Sequence, residues 1–257
     1  MRAGSGDWQA KTGSIRFENV SLRYGEGLPL ALKGVSFEIE HGQKIGFIGR
    51  TGSGKSTLFQ SLFRFVEIES GKVFVDGVDF QTVAMDQLRK SIAIIPQDPT
   101  LFLGTIRSNL DRFNRFTDEE IWSVLGKVKL ANTVQNMEGK LEAGVSENGQ
   151  NFSRGQRQLF CFARALLMNT KIICLDEATA SVDVVTDRII HSILENACSD
   201  RTILIIAHRL STVAHCDKVI EMKDGEVFDV RIKDSKANRM KNLFLATDLT
   251  HAVDASN

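Results

Sequence analysis

The sequence predicts an α/β fold: a mostly parallel sheet, an antiparallel β addition and an inserted helical piece. Three observations carry this. Several short runs are apolar throughout, others alternate polar and apolar, and helix-period stretches fall between them.

The alternating runs come first. Ser14 to Val20 alternates as a half-buried strand should, and Val35-Ser36-Phe37-Glu38-Ile39 does the same. Asp76-Gly77 and Asp224-Gly225 are flanked by apolar residues and predict hairpin turns. Ile45–Ile48, Ile92–Ile95, Ile172–Leu175 and Ile203–Ala207 are continuously apolar. Such strands belong in a parallel sheet covered on both faces. Leu58, Phe59, Leu62 and Phe63 mark one face of a helix. A second helical zone runs from Thr117 to Asn136, with Ile121, Val124, Leu125, Val128 and Leu130 on its apolar side. The inserted helical piece is placed near residues 98–156.

Composition sets the outer limits. The 257 residues suffice for one large domain or two small ones, and 42% are apolar, enough for a sizeable core. Lys plus Arg and Asp plus Glu are 32 each, which argues against a general nucleic-acid or anionic-membrane surface. Cys161, Cys174, Cys198 and Cys216 form no CxxC pair and have no His at metal spacing. They are read as free thiols of a reducing cytosol. No apolar run approaches the roughly 18 residues of a membrane helix, and residues 1–13 lack the apolar core of a signal peptide. The chain itself is expected to be soluble. Arg2-Ala3-Gly4-Ser5-Gly6 reads as a flexible linker or the edge of the chain.

Gly49-Arg50-Thr51-Gly52-Ser53-Gly54-Lys55-Ser56 fits G-x-x-x-x-G-K-[ST] without a mismatch. An apolar strand precedes it and an amphipathic helix follows, the context the motif needs. Glycines let the backbone curl so that N–H groups point at phosphate oxygens, and the helix N-terminus adds partial positive charge. Lys55 can reach the β and γ phosphates, and the Ser56 hydroxyl can ligate Mg²⁺. Ile172-Ile173-Cys174-Leu175-Asp176-Glu177 is a buried strand ending in two acids. Ligands of open parallel sheets bind beyond the carboxyl ends of the strands, so acids and loop can converge there. Asp176 is expected to hold Mg²⁺, directly or through water, and Glu177 to polarise the attacking water. Phe152-Ser153-Arg154-Gly155-Gln156 opens another helix, expected from Gln156 to about Met168, with Ser153 a good N-cap. By itself this is a capped helix and no more.

At this point the sequence resembles the ATP-binding cassette transporters, over residues 14–229. Gly49–Ser56 stands at Walker A, Ile172–Glu177 at Walker B with the catalytic glutamate, and Ser153-Arg154-Gly155-Gln156 at the LSGGQ signature. Tyr24 matches the aromatic that stacks on adenine. Gln97, in Ile95-Pro96-Gln97-Asp98-Pro99, matches the Q-loop glutamine. Ala180-Ser181-Val182-Asp183 matches the D-loop, and His208 the switch histidine. Gly49-Arg50-Thr51-Gly52, Ile95-Pro96-Gln97-Asp98-Pro99 and Gly104-Thr105-Ile106-Arg107-Ser108-Asn109-Leu110-Asp111 are similar to the exporter branch, most of all to the second nucleotide-binding domain of the multidrug-resistance-associated C subfamily.

The resemblance implies a RecA-like P-loop NTPase core with a mostly parallel sheet, an antiparallel β subdomain and an inserted α-helical subdomain. It divides the chain into a linker (1–13), a first core segment (14–97), a helical subdomain (98–156), a second core segment (157–230) and a tail of unknown role (231–257). It implies an ATPase that powers an exporter, with ATP and Mg²⁺ as cofactors. Thr57 joins Gly49–Ser56 and Tyr24 around the nucleotide. Gln97 joins Ser56 and Asp176 as a metal residue. Glu177, His208, Gln97 and Lys55 become the catalytic set. Ser153, Gly155 and Gln156 complete the other subunit's site in a head-to-tail dimer. The implied partners are transmembrane domains and a second nucleotide-binding domain, with no nucleic acid. The implied location is the cytoplasmic face of a membrane. Two rival functions are a nucleotide sensor gating a channel or partner, and a soluble cassette ATPase acting on ribosomes or DNA.

The sequence departs from the family in places. Phe152 replaces the usual Leu. Arg154 stands where a small residue is common, and it either reaches a phosphate or carboxylate or is solvated, the last being favoured. Leu101-Phe102-Leu103 and Ile106 are either an exposed apolar contact for a membrane partner or ordinary core.

Overall fold

The computed structural model describes residues 8–178, 182–207 and 210–233. The chain opens with two antiparallel strands, β1 (Ile15–Leu22) and β2 (Leu32–Ile39). Next come β3 (Lys44–Ile48), helix α1 (Lys55–Leu62), β4 (Ser70–Val75) and β5 (Val78–Asp79). Helix α2 (Met85–Ser91) leads into β6 (Ile92–Ile95). The inserted piece holds β7 (Gly104–Thr105), α3 (Ile106–Leu110), α4 (Asp118–Lys127), α5 (Ala131–Gln135) and β8 (Gly144–Val145). Helix α6 (Arg154–Met168), β9 (Ile172–Asp176), α7 (Val184–Ser192), β10 (Thr202–Ile206), α8 (Leu210–Val213), β11 (Lys218–Lys223) and β12 (Glu226–Ile232) follow.

The strands form a six-stranded sheet, β12-β11-β3-β10-β9-β6, a four-stranded sheet, β2-β1-β4-β5, and the small β7-β8 pair. All neighbours in the first sheet are parallel except β11 and β12. Its apolar runs are buried, as expected for parallel strands covered on both faces, except at Ile94, which is 43% exposed on the edge strand β6. Successive side chains feed opposite cores. Ile45, Phe47, Ile172, Cys174, Leu204 and Ile206 join a core shared with α1 and the antiparallel sheet. Ile48, Ile173, Leu175, Ile203 and Ile205 join one shared with α6 and the helical piece. A line of rings ties the two sheets together on the first side: Phe17 stacks on Phe37 at 4.6 Å, Phe37 meets Phe47 edge-on at 5.6 Å, and Phe47 meets Phe59 at 6.2 Å.

Both Asp-Gly pairs make the tight turns expected of them. Asp76 and Gly77 have φ of 50° and 75°, and Asp224 and Gly225 have 51° and 84°, joining β4 to β5 and β11 to β12. The helical zone from Thr117 to Asn136 consists of two helices, α4 and α5. Lys129 adopts φ 60° and Leu130 N–H reaches back to the Leu125 carbonyl, which ends α4 before α5 begins. Helix α6 starts two residues before the expected Gln156, because Ser153 caps the Gln156 N–H and the Gln156 side chain caps Ser153 in return. The apolar run at 101–106 is divided. Leu101 and Ile106 are core, whereas Phe102 and Leu103 are 62% and 77% exposed. Phe152 is buried edge-on against Phe160. All four cysteines are free and buried.

Candidate nucleotide site

The site lies at the carboxyl ends of β3, β9 and β10, where parallel α/β sheets take their ligands. The loop after β3 turns back on itself at Gly49, whose φ is 142°. A Cβ there would overlap the Met222 carbonyl oxygen of β11 and lie 2.7 Å from Ser53 Oγ, so only glycine fits. The loop closes around Lys55. The Nζ atom donates to the Gly49 carbonyl at 2.7 Å, the Arg50 carbonyl at 3.0 Å and Ser53 Oγ at 3.5 Å. Gly54 caps α1 in a left-handed conformation, so the first N–H groups of α1 are free of side-chain caps and face the loop. Burial pushes the Lys55 amine below the ordinary lysine range, and the nearby Glu177 and Asp176 carboxylates pull it back up.

Strand β9 delivers those two acids. Asp176 ends the strand, and Glu177 breaks out of it with φ 47°. A glutamate in the left-handed region costs about 1–2 kcal/mol, offset here in part by its N–H donating to the Ile206 carbonyl of β10 at 3.1 Å. Across the cleft Gln97, just past β6, donates from Nε2 to Glu177 Oε2 at 3.0 Å. Tyr24, beyond β1, is 53% exposed and does not lie in the core. Its hydroxyl donates to Gln60 Oε1 at 2.8 Å and bonds Thr57 Oγ1 at 2.9 Å, which fixes the ring beside α1.

These parts enclose one cleft of about 590 Å³. Thr51, Gly52, Gly54, Lys55, Ser56 and Thr57 floor it, and Tyr24, Gln97 and Glu177 stand at its sides. Gly49, Arg50 and Ser53 are not among the lining residues but bond the Lys55 ammonium. Ser153, Gly155 and Gln156 are not among the residues that line it. His208, Ala180 and Ser181 fall outside the described residues. Sequence reading did not find Gln60, which steadies Tyr24, nor Ala31, which adds to the cleft wall.

The donor set suits a hard cation: the Ser56 hydroxyl is exposed to the cleft, and the Asp176 carboxylate and Gln97 amide carry oxygens at the same sheet edge. Among the described residues no three His, Cys, Asp or Glu side chains make a protein-only metal cage. Mg²⁺ does not need one, since it keeps waters and takes phosphate oxygens.

A phosphate loop on Lys55 after β3, with carboxylates at the end of β9 on the far side of β10, defines a P-loop nucleotide-binding domain. The family pattern described as ABC transporter matches residues 32–180. The chain is 48% identical over 221 residues to an ABC transporter C family member 3 of Dictyostelium discoideum, covering 86% of this chain and 16% of that protein. It is 45% identical over 240 residues to an ABC transporter C family member 3 of Arabidopsis thaliana, covering 92% of this chain and 16% of that protein. A bacterial Atm1-family ABC exporter with ATP bound superposes with a TM-score of 0.81 at 32% identity, covering 87% of this chain and 39% of that one. The chain belongs to the ABC transporter family, with relatives in its C subfamily. It spans about a sixth of the length of those curated relatives. Among the described residues no helix is long and apolar enough to cross a membrane.

Proposed function

We propose that this domain binds ATP with Mg²⁺ in the cleft above Lys55 and hydrolyses it to drive an exporter at the cytoplasmic face of a membrane. The observation that carries the reading is the 3.0 Å bond from Gln97 to Glu177 within the cleft that holds the Lys55 ammonium. It brings a candidate base, an orienting amide and a phosphate-binding loop to one place. The loop N–H groups and α1 bind the phosphates, and Lys55 trades its bonds to Gly49 and Arg50 for phosphate oxygens. Ser56, Asp176 and Gln97 would hold Mg²⁺, which would supply counter-charge to the phosphate oxygens. Glu177 orients and polarises the attacking water, His208 donates to the γ-phosphate, and the exposed Tyr24 ring stacks on adenine.

Ser153, Gly155 and Gln156 do not line the cleft of their own chain. This supports a head-to-tail dimer in which they close the partner's site, with transmembrane domains as the other partner and no nucleic acid. The Gly49-Arg50-Thr51-Gly52 pattern supports the second cassette position of a C-subfamily protein. Glu177→Gln keeps the shape of the side chain but cannot take a proton, so it should retain ATP affinity and lose turnover by roughly 10²–10⁴-fold. Steady-state phosphate release, measured beside labelled-ATP titration, checks this. A near-parental rate in Glu177→Gln would move the role to another residue, with His208 next. Chelating Mg²⁺ should stop hydrolysis in the parent chain.

A further inference from the structure

Arg154 occupies the signature position where the sequence departs from its family. Its guanidinium does not stand free in water. Nη2 donates to Asp98 Oδ1 at 2.9 Å and approaches the Gln97 carbonyl at 3.5 Å. Asp98 is the residue next to Gln97, and Gln97 holds Glu177. The same helix grips the same strap twice more. Gln158, buried in α6, donates to the Pro96 carbonyl at 3.2 Å, and Arg164 donates to the Thr100 carbonyl at 2.8 Å. Three side chains of α6 therefore fix the segment from Pro96 to Thr100. Two of them bind backbone on either side of Gln97, and the third, Arg154, binds beside it.

We infer that Arg154 is a positioning residue for hydrolysis: through Asp98 it latches the Gln97 loop to the first turn of α6 and so holds the Gln97 amide against Glu177. This rests on the roles proposed for Gln97 and Glu177. The Gln158 and Arg164 anchors set where the strap lies. Arg154 sets how the strap is turned at Gln97, because its two acceptors are the Gln97 carbonyl and the adjoining side chain. Its Asp98 partner is 87% exposed and Arg154 itself 41%, so the latch is weak enough to open when α6 moves.

The test compares Arg154→Ala, Asp98→Ala, the double variant and Arg154→Lys in the full chain. Losing an exposed pair of this kind should lower kcat roughly two- to five-fold. The KM for ATP should stay put, since neither residue lines the cleft. The two single variants should fall alike, the double should be no worse than either, and Arg154→Lys should recover part of the rate. Amide exchange over residues 97–101 should quicken in both single variants of the nucleotide-free chain, with the rest of the protein unchanged. A loss in Arg154→Ala with parental kcat and exchange in Asp98→Ala would overturn the latch and favour direct contact with a phosphate. So would parental kcat in both. If the parent shows no hydrolysis that Lys55→Ala removes, the ATPase reading fails. The exchange comparison then still decides the latch: unchanged exchange at 97–101 sinks it.

Discussion

Gly155 offers a test in which two effects of opposite sign compete. It sits in the first turn of α6 without a left-handed φ, so backbone conformation alone would welcome alanine there. Replacing a helical glycine by alanine stabilises by about 0.5–1 kcal/mol when there is room. Here there is none. A Cβ on Gly155 would overlap Thr186 Oγ1 and lie 3.0 Å from Asp183 Oδ2 and 3.3 Å from Thr186 Cβ. Those atoms belong to the start of α7. Asp183 caps it by accepting from the Val185 and Thr186 N–H groups at 3.0 and 2.9 Å, and Thr186 Oγ1 donates back to Asp183 Oδ2 at 2.7 Å. Overpacking costs about 1–3 kcal/mol, and pushing Asp183 off its cap costs about 1 more. Gly155→Ala should therefore destabilise by about 1–3 kcal/mol net, a fall in Tm of roughly 3–10 °C for a chain of this size. Urea unfolding of the parent, Gly155→Ala, Thr186→Ala and the double variant checks it. Removing the Thr186 hydroxyl and methyl opens the space, so most of the cost of the added methyl should vanish in that background. A Gly155→Ala chain as stable as its parent, or the same cost in both backgrounds, refutes the packing argument. The glycine would then be kept only for what binds in front of α6.

Asp76 accepts from the Lys11, Thr12, Gly13 and Ser14 N–H groups and from Thr12 Oγ1, at 2.6–2.9 Å. Burial alone would raise its carboxyl, but these bonds outweigh it and hold it below the usual range. A depressed value means stability present above the ordinary carboxylate pKa of about 3.9 and lost as pH falls through the folded value. Asp76→Asn, which keeps the turn, should cost about 1–2 kcal/mol at pH 7 after allowing for partial exposure, and the gap to the parent should close below about pH 4; a gap independent of pH contradicts the charge. Burial pushes the Cys216 thiol up to about 12 and raises Cys161, Cys174 and Cys198 as well. The thiolate is the reactive form, so a thiol reagent at pH 8 should label the native chain slowly and the chain in guanidinium fast; rapid native labelling would mean a core that opens. Tyr24→Ala should weaken ATP binding by about 1–3 kcal/mol, whereas Tyr24→Phe keeps the stacking face and should lose less. Equal losses in the two would assign the effect to the hydroxyl bonds with Thr57 and Gln60.

Much of the fold was legible because its signals are local. Continuous apolar runs become parallel strands, buried on both faces except at Ile94 of the edge strand β6, and Asp76-Gly77 and Asp224-Gly225 turn because those residues tolerate positive φ. Gly49–Ser56 is readable for the same reason: its curl and its helix start depend on eight consecutive residues. The division of 117–136 into two helices was not legible, since the left-handed turn at Lys129 carries no glycine or asparagine to announce it.

What joins residues distant in sequence was decided by the tertiary structure. Gln97 and Glu177 are 80 positions apart and meet because β6 pairs with β9. Arg154 finds Asp98 56 positions away because α6 packs along the strap that leaves β6. On sequence grounds a solvated Arg154 was favoured, and the structure gives it a carboxylate. Gly155, which the resemblance assigns to the other subunit's site, leaves room for Thr186 of the same chain. Residue type and spacing fix the chemistry a segment can perform, because backbone conformation and hydrophobic period are set by neighbours in the chain. Which carboxylate faces which amide depends on strand order and helix packing, and no short stretch of sequence contains either.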